Sequence, residues 1–149
     1  MLKLQTKYHG EIEIKKDDIL TFTNGLPGFP DEREFILLPL QENQLFSILQ
    51  SLQTKEVAFV LTSPFEFFSE YEIQLDSQTL EQLEIKNDKD VTVMVILTVH
   101  DPFNQTTANL QAPIVTNIKN RQSKQLILND SRYKTKHPIF TLQTENVKG

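Results

Sequence analysis

Cysteine is absent from this sequence, which excludes a disulfide framework, a thiolate metal site and a thiol nucleophile. Tryptophan is absent as well, and glycine occurs only four times in 149 residues. The densest glycine cluster, "GLPG" (Gly25 to Gly28), lacks the Lys-Ser/Thr of a P-loop and is not G-x-G-x-x-G, so it is no phosphate cradle. Long apolar runs are missing too. The longest, "VTVMVILTV" (Val91 to Val99), is too short to span a bilayer as a helix. The N-terminal "MLKLQTKYHGEIEIKK" alternates and carries charge throughout, with neither the apolar core nor the small-residue cleavage site of a signal peptide. The expected compartment is the cytoplasm, with no membrane contact.

Metal and catalytic patterns are equally thin. His9, His100 and His137 are scattered and make no ligand spacing. "NDKDVT" starts like a calcium loop at Asp88 and Asp90, but Val93 stands where the loop needs glycine and Val99 where it needs glutamate. His100-Asp101 follows a strand pattern and is a candidate base with an orienting acid, yet no G-x-S-x-G elbow accompanies it. Neither a metal nor a cofactor is expected.

What is present is acid, unevenly placed. The net charge of −5 argues against direct nucleic-acid binding, because phosphates attract Lys/Arg patches. Between Glu66 and Asp90 lie eight acids against two bases, while Pro113 to the end holds seven bases and two acids. Such a skew speeds encounter with a basic partner. The exposed acids expected to face it are Glu66, Glu70, Glu72 and Asp76, with Asp31, Glu32 and Glu34 as a second patch.

The apolar pattern is mostly of period two. "LKLQTKY", "EIEI", "ILTFT", "FILLPL", "LFSILQSL", "EVAFVLTS", "YEIQL", "VTVMVILTVH", "TANLQA", "IVTNIK" and "KQLILN" all read as short strands. One segment, "DSQTLEQLEIKN", reads as a short helix over about 77–86, capped by Asp76 or Ser77, with Leu80 and Leu83 on one stripe. The expected fold is mainly β, a small antiparallel barrel-like or sandwich domain over 1–140, with a polar tail over 141–149.

Two loops stand out. Leu26-Pro27-Gly28-Phe29 fits a type II turn, proline presetting φ at its second position and glycine supplying positive φ at its third. Gly25, Pro27 and Gly28 are therefore read as architecture, placing Phe29 in the core, and Pro30 is read as opening a helical turn through Asp31, Glu32 and Arg33. In "NLQAPIVTN", Pro113 cannot donate to a ladder, so Asn109, Leu110 and Pro113 mark a candidate edge strand or a strand that ends at the proline.

"FTNGLPGFPDEREFIL" (Phe22 to Leu37), "FSILQSL" (Phe46 to Leu52), "VAFVLTSPF" (Val57 to Phe65) and "NLQAPIVTN" (Asn109 to Asn117) occur in this order. Together they resemble the bacterial flagellar assembly factor family FliW, over roughly Gly10 to Phe140. The resemblance implies a non-enzymatic, chaperone-like, cytoplasmic β-barrel protein with two successive partners. One is the CsrA-type translational regulator, a small basic dimer that represses flagellin mRNA, and the other is flagellin. Two other classes fit the residues without the resemblance: a small-ligand or carbohydrate-binding β-barrel, and a hydrolase using His100 and Asp101.

Overall fold

The structure is a computed structural model that describes residues 1–40 and 43–140; the expected polar tail lies outside the described residues. β1 (Leu2–Gln5) and β2 (Glu11–Ile14) form a separate antiparallel hairpin. The remaining strands are β3 (Leu20–Phe22), β4 (Glu34–Leu40), β5 (Asn43–Ser51), β6 (Ala58–Thr62), β7 (Val91–Thr98), β8 (Thr107–Ala108), β9 (Ile114–Asn117), β10 (Gln122–Gln125) and β11 (His137–Pro138). They pair in the order β7-β6-β5-β4-β3-β10-β9, and β9 returns to β7, closing a seven-stranded barrel. β8 and β11 extend from the far end of β7. All ladders are antiparallel except β3–β10, which is parallel. Alternating patterns do not encode that exception, because they report a face and not a partner.

Alternation along the strands separates two apolar layers. Leu20, Phe22, Phe35, Leu49, Leu61 and Ile114 fill the barrel interior with Met94 and Ile96. On the outer face, Phe46, Val95, Leu97, Leu110, Tyr71 and Tyr133 make a second cluster. Phe35, Leu49 and Val95 are fully buried, and each such side chain contributes about 1.5–3 kcal/mol.

Three expected strands are shorter or missing. "YEIQL" is extended coil that lays Tyr71 onto the outer face, "TANLQA" is ordered as strand only at β8, and "KQLILN" leaves the ladder after Gln125. The helix α1 (Ser77–Gln82) is also shorter than 77–86. Asp76 caps it by accepting the Thr79 N–H at 2.7 Å, and Glu84, at φ 54°, ends it in the left-handed region. Leu83 is buried, whereas Leu80 points outward at 36% exposure.

The "GLPGF" turn is present. Phe29 N–H donates to the Leu26 carbonyl at 2.7 Å, Leu26 N–H donates back to Phe29 at 3.2 Å, and Gly28 has φ +85°. Phe29 departs from expectation: it is 39% exposed and packs edge-on against Phe59 at 5.5 Å. Nor does Pro30 open a helix. The chain makes one more turn, Glu32 N–H to the Phe29 carbonyl, and then enters β4.

Gly25 is the strict requirement here. It sits at φ +67°, and a Cβ there would lie 2.5 Å from the Pro30 carbonyl oxygen and 2.6 Å from that of Phe29. Gly28 faces open space. Gly25→Ala is expected to lower stability by more than the about 1–2 kcal/mol of left-handed strain alone, and Gly28→Ala by about that strain, measured by urea denaturation. Equal losses at the two positions would show that the carbonyl contacts do not matter.

Candidate functional site

The acidic stretch lies across the outer face of the barrel and is held at two points along it by polar side chains. At its start, the Tyr71 hydroxyl donates to the Leu110 carbonyl at 2.7 Å, and its ring packs against Tyr133 at 4.7 Å between centroids. Burial, with Tyr133 beside it, pushes the Tyr71 phenol far above its usual value, so it stays a donor. Glu72 N–H donates to the Tyr133 hydroxyl at 3.0 Å. At the other end, Asn117 Nδ2 donates to the carbonyls of Leu83 at 2.8 Å and Glu84 at 3.2 Å, and Asn120 Nδ2 donates to Leu83 at 3.0 Å. These bonds satisfy carbonyls that a helix end leaves open.

Within and beyond these anchors the acids point to solvent. Glu66, Glu70, Glu72 and Asp76 are all exposed, as are Glu81, Glu84 and Asp88. They do not have equal freedom. Glu72 reaches Arg132 at 3.8 Å, and Arg132 is itself held at 2.7 Å by Asp130. Asp76 serves as the cap of α1, and the Thr79 backbone N–H holds its carboxyl below the usual value. Glu66, Glu70, Glu81, Glu84 and Asp88 make no ion pair among the described residues.

Beside α1 runs a largely apolar groove of about 650 Å³, open to solvent, whose charged lining is Lys86 and Asp88. Val91 and Val93 of β7 line it together with Ile73, Leu80, Ile85 and Phe65, the last 48% exposed. Acids alternate with these apolar positions along the chain: Glu66 follows Phe65, Glu72 precedes Ile73, Glu81 follows Leu80 and Glu84 precedes Ile85. Sequence reasoning found the acids and missed the groove: its lining all falls between Phe65 and Val93, but only the folding of coil and α1 back onto β7 brings those residues together.

The second acidic patch divides by role. The Glu32 carboxylate accepts the Ser51 hydroxyl at 2.5 Å and the Thr54 hydroxyl at 2.9 Å. Ser51 is fully buried, so Glu32 is a brace between the "GFPDE" loop and the end of β5. Asp31 and Glu34 remain exposed. Next to Ser51, the buried Gln50 accepts Lys7 N–H from the β1–β2 hairpin at 2.9 Å and donates to the Lys55 carbonyl at 2.9 Å. The "LQS" side chains are thus a polar hub joining three loops. No hydrogen bond or ion pair among the described residues links the Asp31–Glu34 loop to the Glu66–Asp76 stretch.

Asn109 to Pro113 form coil rather than an edge strand. Asn109 N–H donates to Ile96, Leu110 and Gln111 both donate to Lys134, and Leu128 and Leu126 donate to Gln111 and Pro113 from the other side. Leu110 is buried, and the Asn109 side chain folds back to accept from Gln111 and Ala112. With neighbours on both sides, an incoming strand has no edge to join there. His100 and Asp101 are exposed at a strand end, and the His100 N–H donates to the Thr106 hydroxyl. The barrel interior is packed by side chains. At one mouth an apolar recess of about 450 Å³ opens outward past Leu37 and Ile118, and the rim charges Arg121 and Asp18 approach each other at 4.0 Å.

Comparison with known proteins gives one consistent result. The sequence profile of the family described as "FliW protein" matches residues 3–139. A flagellar assembly factor FliW of Geobacillus kaustophilus (strain HTA426) is 55% identical over 139 residues, 93% of this chain and 96% of that one. The one of Bacillus subtilis (strain 168) is 51% identical over 136 residues, covering 91% and 95%. A solved structure described as the crystal structure of the flagellar assembly factor FliW superposes with a TM-score of 0.89 at 55% identity, over 93% of this chain and 97% of that chain.

Two outcomes follow from the anchoring of the acidic stretch. Asn117→Ala removes one of the two side-chain donors to the Leu83 carbonyl and the donor to the Glu84 carbonyl, which is expected to cost about 1–3 kcal/mol in chemical denaturation, with amide exchange accelerated at α1 ahead of the barrel strands. An unchanged exchange pattern would mean that Asn117 does not hold the helix end. Asp76 has a lowered folded pKa, so its cap contributes above the unfolded value of 3.8 and is lost as pH falls through the lower folded value. Acid titration should therefore shift the Thr79 amide resonance with a midpoint below 3.8, and Asp76→Ala should abolish that titration.

Proposed function

Because the chain belongs to the FliW family of flagellar assembly factors, we propose that it works in the cytoplasm, without catalysis, as a partner-switching protein. In this reading it binds a CsrA-type translational regulator and relieves repression of flagellin mRNA. Flagellin in turn sequesters it, so the regulator is free while unsecreted flagellin accumulates.

The observation that carries the reading is the acidic stretch from Glu66 to Asp90, with eight acids, all but Asp90 exposed, against two bases. A protein that binds RNA through basic residues presents the complementary potential, and complementary potentials speed encounter and reject wrong partners. The chain's net charge of −5 has the same sign as RNA phosphates and disfavours direct RNA binding. Glu66 and Glu70 are the acids freest to make this contact. Glu72 and Asp76 are partly committed to Arg132 and to the helix cap, and Asp31 and Glu34 form a separate patch.

Gel filtration of an equimolar mixture with the regulator should give a complex at low salt that weakens as salt rises. Reversing Glu66 and Glu70 together to Lys should lower affinity by about tenfold or more, mainly through the association rate, with the denaturation midpoint unchanged. Absence of a complex at low salt would overturn the reading, and undiminished affinity of the reversed variant would move the contact elsewhere. Flagellin titrated into the preformed complex should release the regulator; a stable ternary complex would refute switching by exclusion.

A further inference from the structure

Among the described residues, His137 is the one histidine whose ring nitrogen accepts a hydrogen bond. The Lys134 N–H donates to its Nε2 at 2.7 Å, whereas the His9 Nε2 donates to the Pro39 carbonyl. A ring nitrogen that accepts carries no proton, so this contact requires the neutral imidazole with its hydrogen on Nδ1. The imidazolium has donors at both nitrogens and would set one N–H against another.

The turn closed by this bond holds more than itself. The Lys134 carbonyl accepts the N–H groups of Leu110 at 3.1 Å and Gln111 at 3.2 Å, which helps to fix the coil from Asn109 to Pro113. Leu110 in turn accepts the buried Tyr71 hydroxyl. One residue before Lys134, Tyr133 packs against Tyr71 and accepts the Glu72 N–H. His137 itself pairs with Ala108 in the β8–β11 ladder, and its ring stands across that of Phe68 at 6.0 Å between centroids.

The surroundings oppose a proton on this ring. Lys134 and Lys136 are the charged residues of the turn, β8 brings none, and the segment that carries Phe68 brings Glu66 and Glu70, both exposed. Burial acts first and the Lys134 ammonium second, and both hold the His137 pKa below 6.5.

We propose that the Lys134–His137 turn is a proton-sensitive latch on the outer layer, closed while His137 is neutral and released when its ring takes up a proton. Release unfixes the Lys134 carbonyl, loosens Leu110 and Gln111, and through the Tyr71 hydroxyl reaches the acidic stretch. Folding favours the neutral ring, so the latch contributes in full above pH 6.5 and is lost as pH falls through the lower folded value. Nothing in this device depends on which partner the acidic stretch meets.

The test is NMR of the full chain, followed from mildly alkaline to mildly acidic pH. The His137 ring and the Lys134 amide should titrate together with a midpoint below 6.5. Across that midpoint, hydrogen-exchange protection factors at Leu110 and Gln111 should fall by about threefold or more, as loss of one hydrogen bond implies. His137→Gln offers a carbonyl oxygen that does not titrate, and should keep the protection in acid. His137→Phe keeps a ring against Phe68 without an acceptor, and should show low protection at every pH. The latch is overturned by a Lys134 amide that does not follow the ring, or by undiminished protection in His137→Phe. Titration of these amides that persists in His137→Gln overturns it as well, by tracing the effect to His9 or His100. If neither variant folds, the joint titration in the unaltered protein still decides.

Discussion

Closure of the sheet through β7 is the constraint on which the rest of this structure depends. β7 pairs through Leu61↔Ile96 and Thr62↔Val95 with β6 on one edge. Its other edge is divided, with Val91–Met94 taken by β9 and Leu97–Thr98 by β8. The first half of that edge closes the barrel, and the second carries the chain outward into β8 and β11. A closed sheet has no edge to protect. The cost is a curved wall that must be apolar on both faces, because the interior is too narrow for anything but side chains and the outside must be roofed.

The two roofs are built differently. Inside, residues from six of the barrel strands interlock, and the "GLPGF" turn brings Leu26 to 3% exposure against them. Outside, cover comes from irregular chain and one short helix: Tyr71 and Tyr133, packed edge to face, with Leu110, and Leu83 at the end of α1 with Val115. Irregular chain cannot satisfy its own backbone, so buried polar side chains do so at its junctions. Asn117 serves the end of α1, Gln50 serves the hairpin tip, and Ser51 braces Glu32. The motifs "LQS" and "APIVTN" are therefore explained by backbone satisfaction before any partner is invoked.

The parts legible in the sequence were those set by local chemistry. The alternation of Val91 to Leu97, the Asp76 cap and the Leu26–Phe29 turn each depend on residues within a few positions of one another, and each is present. The parts that were not legible depend on partners far away in sequence. "YEIQL" alternates like a strand, but its Tyr71 is fixed by Leu110 and no ladder neighbours it, so alternation there reports one buried face without a sheet. Asn109–Pro113 looked like an edge because Pro113 cannot donate, yet Lys134, Leu126 and Leu128 close on it from both sides. Among the candidate contacts, exposure of the acids was readable from their number. The commitment of Glu32 to Ser51 and Thr54 was not, since it spans nineteen and twenty-two positions.

The barrel and the acidic stretch are linked by what the roof leaves uncovered. Had α1 run on through Lys86, as the helical pattern suggests, it would have extended along the wall of β7. Instead Glu84 turns left-handed and the chain drops to Asn87, leaving Val91 and Val93 partly bare beside Ile85. Apolar area exposed in this way is normally a liability. Here the charged groups that line it are Lys86 and Asp88, one of each sign, set beside the acids that neighbour its apolar residues in sequence. The short helix, which looks like a truncated structural element, is the feature that leaves this part of the β7 wall open.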